Sequence, residues 1–427
     1  MNVAMISYHT CPLATLGGKD TGGMNVYVQQ LTRHLGALGV HVDVFTRSQD
    51  EHVPHVLHDL GYGNRVVHVP AGPETPLPKD ELAAHLDEFT AGIQAFCASK
   101  QQRYDLIHSH YWQSGIAGLQ LKAAWQVPMI HMFHTLGAMK QRIARLPGEA
   151  EGEYRLEGER RVLREADRIV AATPAELAQL QWLYGADTRK ITIIPPGVDT
   201  SHFYPIPPDE AREYVGAPPC HRMLLFVGRI EPLKGIDNLI DAIAMMREAG
   251  VFNLEPVCLA VIGGEAVDDP GQISAEMQRL QELRAAHGLG DMITFLGRRG
   301  QDTLPYYYSA AEVVVMPSHY ESFGMVALEA MACGRPVVAS HVGGLAFLVQ
   351  DGVTGFTVPV DEPEALADRL TRLLQDHALR QQMGQNATHF AANYAWEKIT
   401  ARIHSLYQET LASASSSPAP AVSASAL

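Results

Sequence analysis

The stretch Met316-Pro-Ser-His-Tyr-Glu-Ser-Phe-Gly-Met-Val-Ala-Leu-Glu-Ala-Met-Ala-Cys-Gly-Arg-Pro-Val-Val-Ala-Ser340 reads, with the strand before it, as strand, loop, helix, strand. Val313–Met316 is an apolar run of strand length, and Pro317 and Ser318 break it. Gly324 opens a segment of Met, Ala, Leu and Glu, all strong helix formers. Gly334 stops that helix, Pro336 prevents it from restarting, and Val337-Val338-Ala339 is the next buried strand. Such a unit belongs to a parallel sheet covered on both faces. The amides of Phe323, Gly324 and Met325 at the helix start are free donors in a positive field, a site suited to phosphate. Glu321 stands just before the helix and Glu329 within it, between Leu328 and Ala330. An ionised Glu on so apolar a helix is costly without a partner.

The wider pattern repeats this unit. Val3–Ser7 is a first strand, a loop Leu16-Gly-Gly-Lys-Asp-Thr-Gly-Gly23 follows, residues 24–38 read as a helix, and residues 40–46 as a second strand. The loop is neither G-x-G-x-x-G nor a Walker sequence, but Gly22-Gly23 at a helix start lets backbone approach a ligand closely; a tight turn that binds nothing reads equally well. Residues 79–98 read as an amphipathic helix and residues 105–112, Asp-Leu-Ile-His-Ser-His-Tyr-Trp, as a strand running into a polar loop. Ligands sit at the carboxyl ends of such strands. His108 and His110 are taken to face opposite sides of that strand, which argues against a metal there. Residues 128–133 are a further strand, ending in His134-Thr135, and residues 149–167 a charged helix with a solvated face. A proline-rich linker reaches about Cys220, and a second series of strands and helices begins at Arg222. The expectation is two doubly wound α/β domains, residues 1–200 and 201–395, with a closing helix over 396–411 packed back on the first and a disordered Ala/Ser/Pro tail over 412–427.

Composition narrows the function. Against 33 Lys and Arg stand 47 Asp and Glu, a net charge of −14, which argues against nonspecific nucleic-acid binding. The five scattered cysteines fit a reducing compartment and no structural zinc. No apolar run approaches the ~20 residues that span a bilayer, and the N-terminus lacks the pattern of a signal peptide. A cytoplasmic protein is expected.

Glu321-Ser-Phe-Gly-Met-Val-Ala-Leu-Glu329, followed by Ala332-Cys-Gly-Arg-Pro-Val, resembles the Glu-x7-Glu signature of family 4 retaining glycosyltransferases with the GT-B fold. Gly228-Arg229 with Lys234 matches the same family's basic pair. The resemblance implies that Glu321 contacts donor-sugar hydroxyls and Glu329 the nucleotide ribose. The backbone of Phe323, Gly324, Met325 and Val326 meets sugar and phosphate, Arg229 and Lys234 hold the diphosphate, Gly23 approaches the same group, and His134 lies beside the donor sugar. The resemblance implies retention of anomeric configuration by same-face attack, in which the leaving phosphate assists deprotonation. Gly22-Gly-Met-Asn-Val-Tyr-Val28, His108-Ser-His-Tyr-Trp-x-Ser-Gly115 and His134-Thr-Leu136 are similar to two branches, the inositol-phosphate glycosyltransferases of mycothiol synthesis and the sucrose-phosphate synthases. The first implies an acceptor-phosphate set of Asn25, Lys79, Tyr111, Thr135 and Arg155. Residues 140–155 follow neither branch closely. A fructose-based acceptor, a non-catalytic sugar-nucleotide or periplasmic-type binding protein, and a lipid-linked acceptor are the alternatives. A nucleotide sugar, with UDP foremost, is the expected co-substrate. No further cofactor and no metal are expected, because no Asp-x-Asp pair stands where a metal-dependent transferase needs one. A homodimer is the expected assembly if there is one.

Overall fold

The computed structural model describes residues 1–14, 21–144, 151–217, 222–253, 256–264 and 273–416. Two parallel-sheet α/β domains account for them. The first sheet is built from β1 (Asn2–Ile6), β2 (His41–Arg47), β3 (Val56–Leu57), β4 (Arg65–Val69), β5 (Leu106–His110), β6 (Met129–Met132), β7 (Arg168–Ala171) and β8 (Ile191–Ile193). Its order is β3-β4-β2-β1-β5-β6-β7-β8, parallel except for β3 against β4. The second contains β9 (Arg222–Val227), β10 (Val257–Ile262), β11 (Ile293–Gly297), β12 (Val313–Met316), β13 (Val337–Ser340) and β14 (Gly355–Val358). Its order is β11-β10-β9-β12-β13-β14, parallel throughout. The central strands are apolar on both faces: Val3, Ala4, Met5 and Ile6 of β1 and every residue of β12 are buried, as a sheet sandwiched between helices requires.

Strand order reverses direction between β1 and β5 in one sheet and between β9 and β12 in the other. In open α/β sheets these switch points are where ligands dock at the strands' carboxyl ends. The loops leaving those four strands carry Thr10 and Cys11, Tyr111, Arg229 and Glu321.

Several local expectations are corrected. The proline-rich linker contains a helix, Pro208–Val215, whose Ala211 is fully buried; Pro at the first helical position suits a helix start. Strand β14, which follows a turn over residues 352–354, was not anticipated, because Phe356 and Val358 alternate inward over only four residues. The helix expected over 79–98 is three pieces, Lys79–Leu82, Ala83–His85 and Leu86–Lys100. Glu153–Glu165 is not a merely solvated helix, since Arg155 and Glu159 are buried in it. Among the cysteines, Cys258 is disulfide-bonded, which scattered spacing did not anticipate, while Cys11, Cys97 and Cys333 are free. The last helix, Trp396–Ser416, continues into the stretch expected to be disordered; residues 417–427 lie outside the described residues, as do 15–20 of the glycine loop and 145–150.

That last helix lies against the first helix, Gly23–Ala37, and against the first sheet. Trp396 is buried with its ring centroid 5.4 Å from that of Tyr27. Arg402 Nη2 donates to the Ile193 carbonyl (2.6 Å), and the Tyr407 hydroxyl meets His108 Nδ1 (2.7 Å). No described helix is long and apolar enough to cross a membrane.

Candidate active site

The site begins with the loop before helix Met325–Ala332. Gly324 caps that helix at φ 107°, a conformation L side chains rarely adopt. The loop is clamped from outside: the Gly344 amide donates to the Glu321 carbonyl (3.0 Å), and a Cβ on Gly343 would lie 1.8 Å from the same oxygen. The Glu321 side chain is therefore held on a fixed backbone, and the Lys234 ammonium donates to its Oε2 (2.5 Å). Lys234 ends a short 3-10 turn, Pro232–Lys234. Arg229 sits just beyond β9, half-exposed, and pairs with Glu231 (2.6 Å).

Glu329 is buried on the inner face of the same helix. Its Oε2 accepts from the Tyr308 hydroxyl (2.7 Å). Burial pushes its carboxyl up to about 7, and the Tyr308 bond pulls weakly the other way. A buried carboxylate with one partner retains capacity for a further donor. Across the gap, a Cβ on Gly23 would lie 3.1 Å from the Met325 sulfur. The two helix starts thus face each other, one from each domain.

His134 follows β6 at φ 61°. Its Nε2 meets His110 Nδ1 (3.0 Å), and burial holds its imidazole near a pKa of about 3. His108 and His110 do not point apart: their ring centroids are 4.3 Å apart and both are fully buried. Residues two apart on a strand share a face, so the opposite-face reading fails. Among the described residues no group of three or more His, Cys, Asp or Glu could hold a metal ion.

The residues expected at an acceptor phosphate are largely brought together. The Arg155 guanidinium lies 5.0 Å from the centre of the Tyr111 ring. Its Nη2 donates to both the carbonyl and the hydroxyl of Thr135 (3.0 Å each). Its Nε donates to Glu159 (2.8 Å) and its Nη1 to Glu151 (2.6 Å). Burial works against the Arg155 charge, but Tyr111, Glu159 and Glu151 outweigh it and hold its pKa up. Lys79 is exposed on the rim, its carbonyl accepting from Gln113 Nε2 (3.1 Å). Asn25 differs from the expectation: its amide hydrogens are committed to Thr10 Oγ1 and the Cys11 carbonyl (2.7 Å each), and its Oδ1 accepts from the Gly22 amide (2.9 Å). It braces the loop bordering the cluster.

Two carboxylates here were missed. Glu159 accepts from the Gly137 amide (3.0 Å), Arg155 and the Tyr184 hydroxyl, so it anchors Arg155. Glu151 accepts from Arg155 and from Lys140 (2.9 Å). Burial works to raise its carboxyl, but Arg155, Lys140 and Lys79 together hold it below the ordinary range. The i, i+4 spacings 151–155 and 155–159 were the available signal.

Two family models match the chain: "Glycosyl transferase 4-like domain" over residues 22–197 and "Glycosyl transferases group 1" over residues 209–390. D-inositol 3-phosphate glycosyltransferase 2 of Catenulispora acidiphila is 41% identical over 410 residues, covering 96% of this chain and 95% of its own. The D-inositol 3-phosphate glycosyltransferase of Actinosynnema mirum is 40% identical over 406 residues, covering 95% and 96%. The solved sucrose-phosphate synthase of Thermosynechococcus elongatus superposes with a TM-score of 0.87 at 36% identity, over 96% of this chain and 99% of that one. Anabaena HepE in complex with UDP superposes with a TM-score of 0.73 at 20% identity, over 96% and 100%, a likeness of fold.

Proposed function

Because the chain belongs to the group 1, GT4-like glycosyltransferases, in the branch of the inositol-phosphate enzymes and sucrose-phosphate synthases, we propose that it moves a hexosyl group, with retention, from a UDP-sugar to a small phosphorylated polyol such as inositol phosphate. The observation that carries the acceptor is the convergence of Tyr111, Thr135 and Arg155 beside His134, with Lys79 on the rim. A phosphate dianion is the ligand that such a set of charged and hydroxyl donors recognises. Asn25 shapes the loop alongside.

In this reading Arg229 and Lys234 stabilise the diphosphate as it departs, the step on which glycosyl transfer from a nucleotide most depends. Lys234 then exchanges its bond to Glu321 for one to phosphate, and Glu321 turns its freed oxygen to the sugar hydroxyls. The amides from Phe323 to Val326 add donors at the helix start. Glu329 accepts from the ribose, and Gly23 leaves room for the diphosphate between the two helix starts. His134 touches a hydroxyl of the donor sugar. No metal is given a role.

A fructose phosphate acceptor is the second reading, supported by the likeness to the sucrose-phosphate synthase. The test is a matrix of UDP-, ADP- and GDP-sugars against inositol phosphate, fructose 6-phosphate and their dephosphorylated forms, read as nucleotide release. Release confined to a UDP-sugar with inositol phosphate is expected. Release with fructose 6-phosphate alone favours the second reading, and equal release with dephosphorylated forms overturns both.

A further inference from the structure

The ends of β5 and β6 bring four imidazoles together. His108, His110 and His131 are fully buried, and each uses Nδ1: His108 to the Tyr407 hydroxyl (2.7 Å), His131 to Ser109 Oγ (2.7 Å), and His110 to His134 Nε2 (3.0 Å). The Nε2 atoms of His108, His110 and His131 are buried without a hydrogen-bond partner. His134 is different. The residue as a whole is only partly buried, its Nε2 is taken by His110, and its Nδ1 is not among the buried orphaned atoms. Tyr27 packs on both rings, its centroid 5.5 Å from that of His110 and 5.2 Å from that of His134.

Burial keeps both imidazoles neutral, so one of the two facing nitrogens carries the proton and the other the lone pair. If His134 Nε2 donated, His110 would carry its own proton on Nε2, a buried N–H without an acceptor. If His110 Nδ1 donates, the orphan at His110 Nε2 is a bare lone pair. Orphaned buried N–H groups are rarer in native interiors than unsatisfied acceptors. The second arrangement leaves the His134 proton on Nδ1, which is not a buried orphaned atom.

We propose that His110 is a positioning residue that fixes His134 as the Nδ1–H tautomer, so that His134 offers the cleft a hydrogen-bond donor. The proposal rests on the reading that His134 faces the donor sugar. It makes His134 a donor to a sugar oxygen and takes away any role as proton acceptor. The positive φ of His134 fits a side chain held in one orientation by its surroundings.

The test is a two-bond ¹H–¹⁵N correlation spectrum of the full-length, ligand-free chain labelled with ¹⁵N-histidine at pH 7.5, with the His134 signals identified by their loss in His134→Gln. A protonated Nδ1 and a pyridine-like Nε2 are expected. A protonated Nε2, or a signal averaged between tautomers, overturns the proposal. His110→Phe removes the donor and should lower kcat on the order of tenfold with donor KM little changed, whereas His110→Asn, whose amide sits near the Nδ1 position, should restore most of it. Equal impairment of the two, or none in His110→Phe, also overturns it. The spectrum needs no substrate. A correct tautomer together with wild-type transfer by His134→Gln would instead refute the sugar-contact reading and leave the positioning by His110 standing.

Discussion

If Glu329 accepts from the donor's ribose, as proposed, donor binding depends on pH in a direction set by its raised pKa. Its carboxyl is pushed up to about 7 by burial, and only the carboxylate is a full acceptor for the ribose hydroxyls. With a pKa near 7 the ionised fraction rises from about a tenth at pH 6 to about nine-tenths at pH 8. A sugar nucleotide that binds the ionised form should therefore bind roughly tenfold more tightly at pH 8 than at pH 6, about 1.4 kcal/mol. A UDP-sugar is the right probe, because its diphosphate has no ionisation of its own in that range. Isothermal titration calorimetry at half-unit steps gives Kd and, in two buffers, the proton released on binding. Glu176 is also raised to about 7 by burial, so Glu329→Gln is the control that assigns the slope, and it should flatten it. Tyr308→Phe removes the one bond that lowers the Glu329 pKa, and should move the rise to higher pH. The same shift has a stability sign. A folded pKa above the unfolded 4.5 contributes stability fully below that value and loses it as pH climbs through 7. Glu329→Gln should thus be the more stable protein at pH 8, by up to about 3 kcal/mol. A Kd that is flat from pH 6 to 8, or a slope that survives Glu329→Gln, refutes the reasoning.

Other expectations follow from the same contacts. Lys234→Ala and Glu321→Gln should each reduce transfer to background while melting within a few degrees of the parent, since their ion pair is partly exposed and worth about 1 kcal/mol or less; turnover near the parent rate removes both from the site. Gly324→Ala should lower stability by about 1–3 kcal/mol, from φ 107° and a Cβ 2.6 Å from Leu345 Cδ2, and an unchanged urea midpoint would contradict this. Glu151→Gln removes the carboxylate that occupies Lys140 and Arg155. It should lower the KM for a phosphorylated acceptor, and an unchanged KM would show that Glu151 does not compete with phosphate.

What the sequence revealed depended on how local the signal was. The unit from Val313–Met316 through Val337–Ser340 was legible because apolar runs, Gly324 and Pro336 punctuate it within one continuous stretch. The strand Gly355–Val358 was not, because four residues with two inward side chains fall below any periodic signal. His108 and His110 share a face because residues two apart on a strand do, a period the sequence itself carries. Arg155 and Glu159 read as solvated because a charged helix normally is; their burial depends on Thr135, Gly137 and Tyr184, which arrive from distant segments. Asn25 could be picked out, but its commitment to Thr10 and Cys11 is a property of the folded loop.

The central claim is that the Tyr111, Thr135, Arg155 and Lys79 cluster recognises a phosphate on the acceptor. The measurement that tests it most directly is kcat/KM for inositol phosphate relative to inositol, in the parent and in Lys79→Ala, with donor hydrolysis followed in parallel. The account predicts a preference on the order of 10² or more in the parent, as expected for one charge-assisted phosphate contact set worth about 3 kcal/mol. It predicts that Lys79→Ala loses most of that preference while donor hydrolysis continues at the parent rate. A ratio near one in the parent, or a preference untouched by Lys79→Ala, would contradict it.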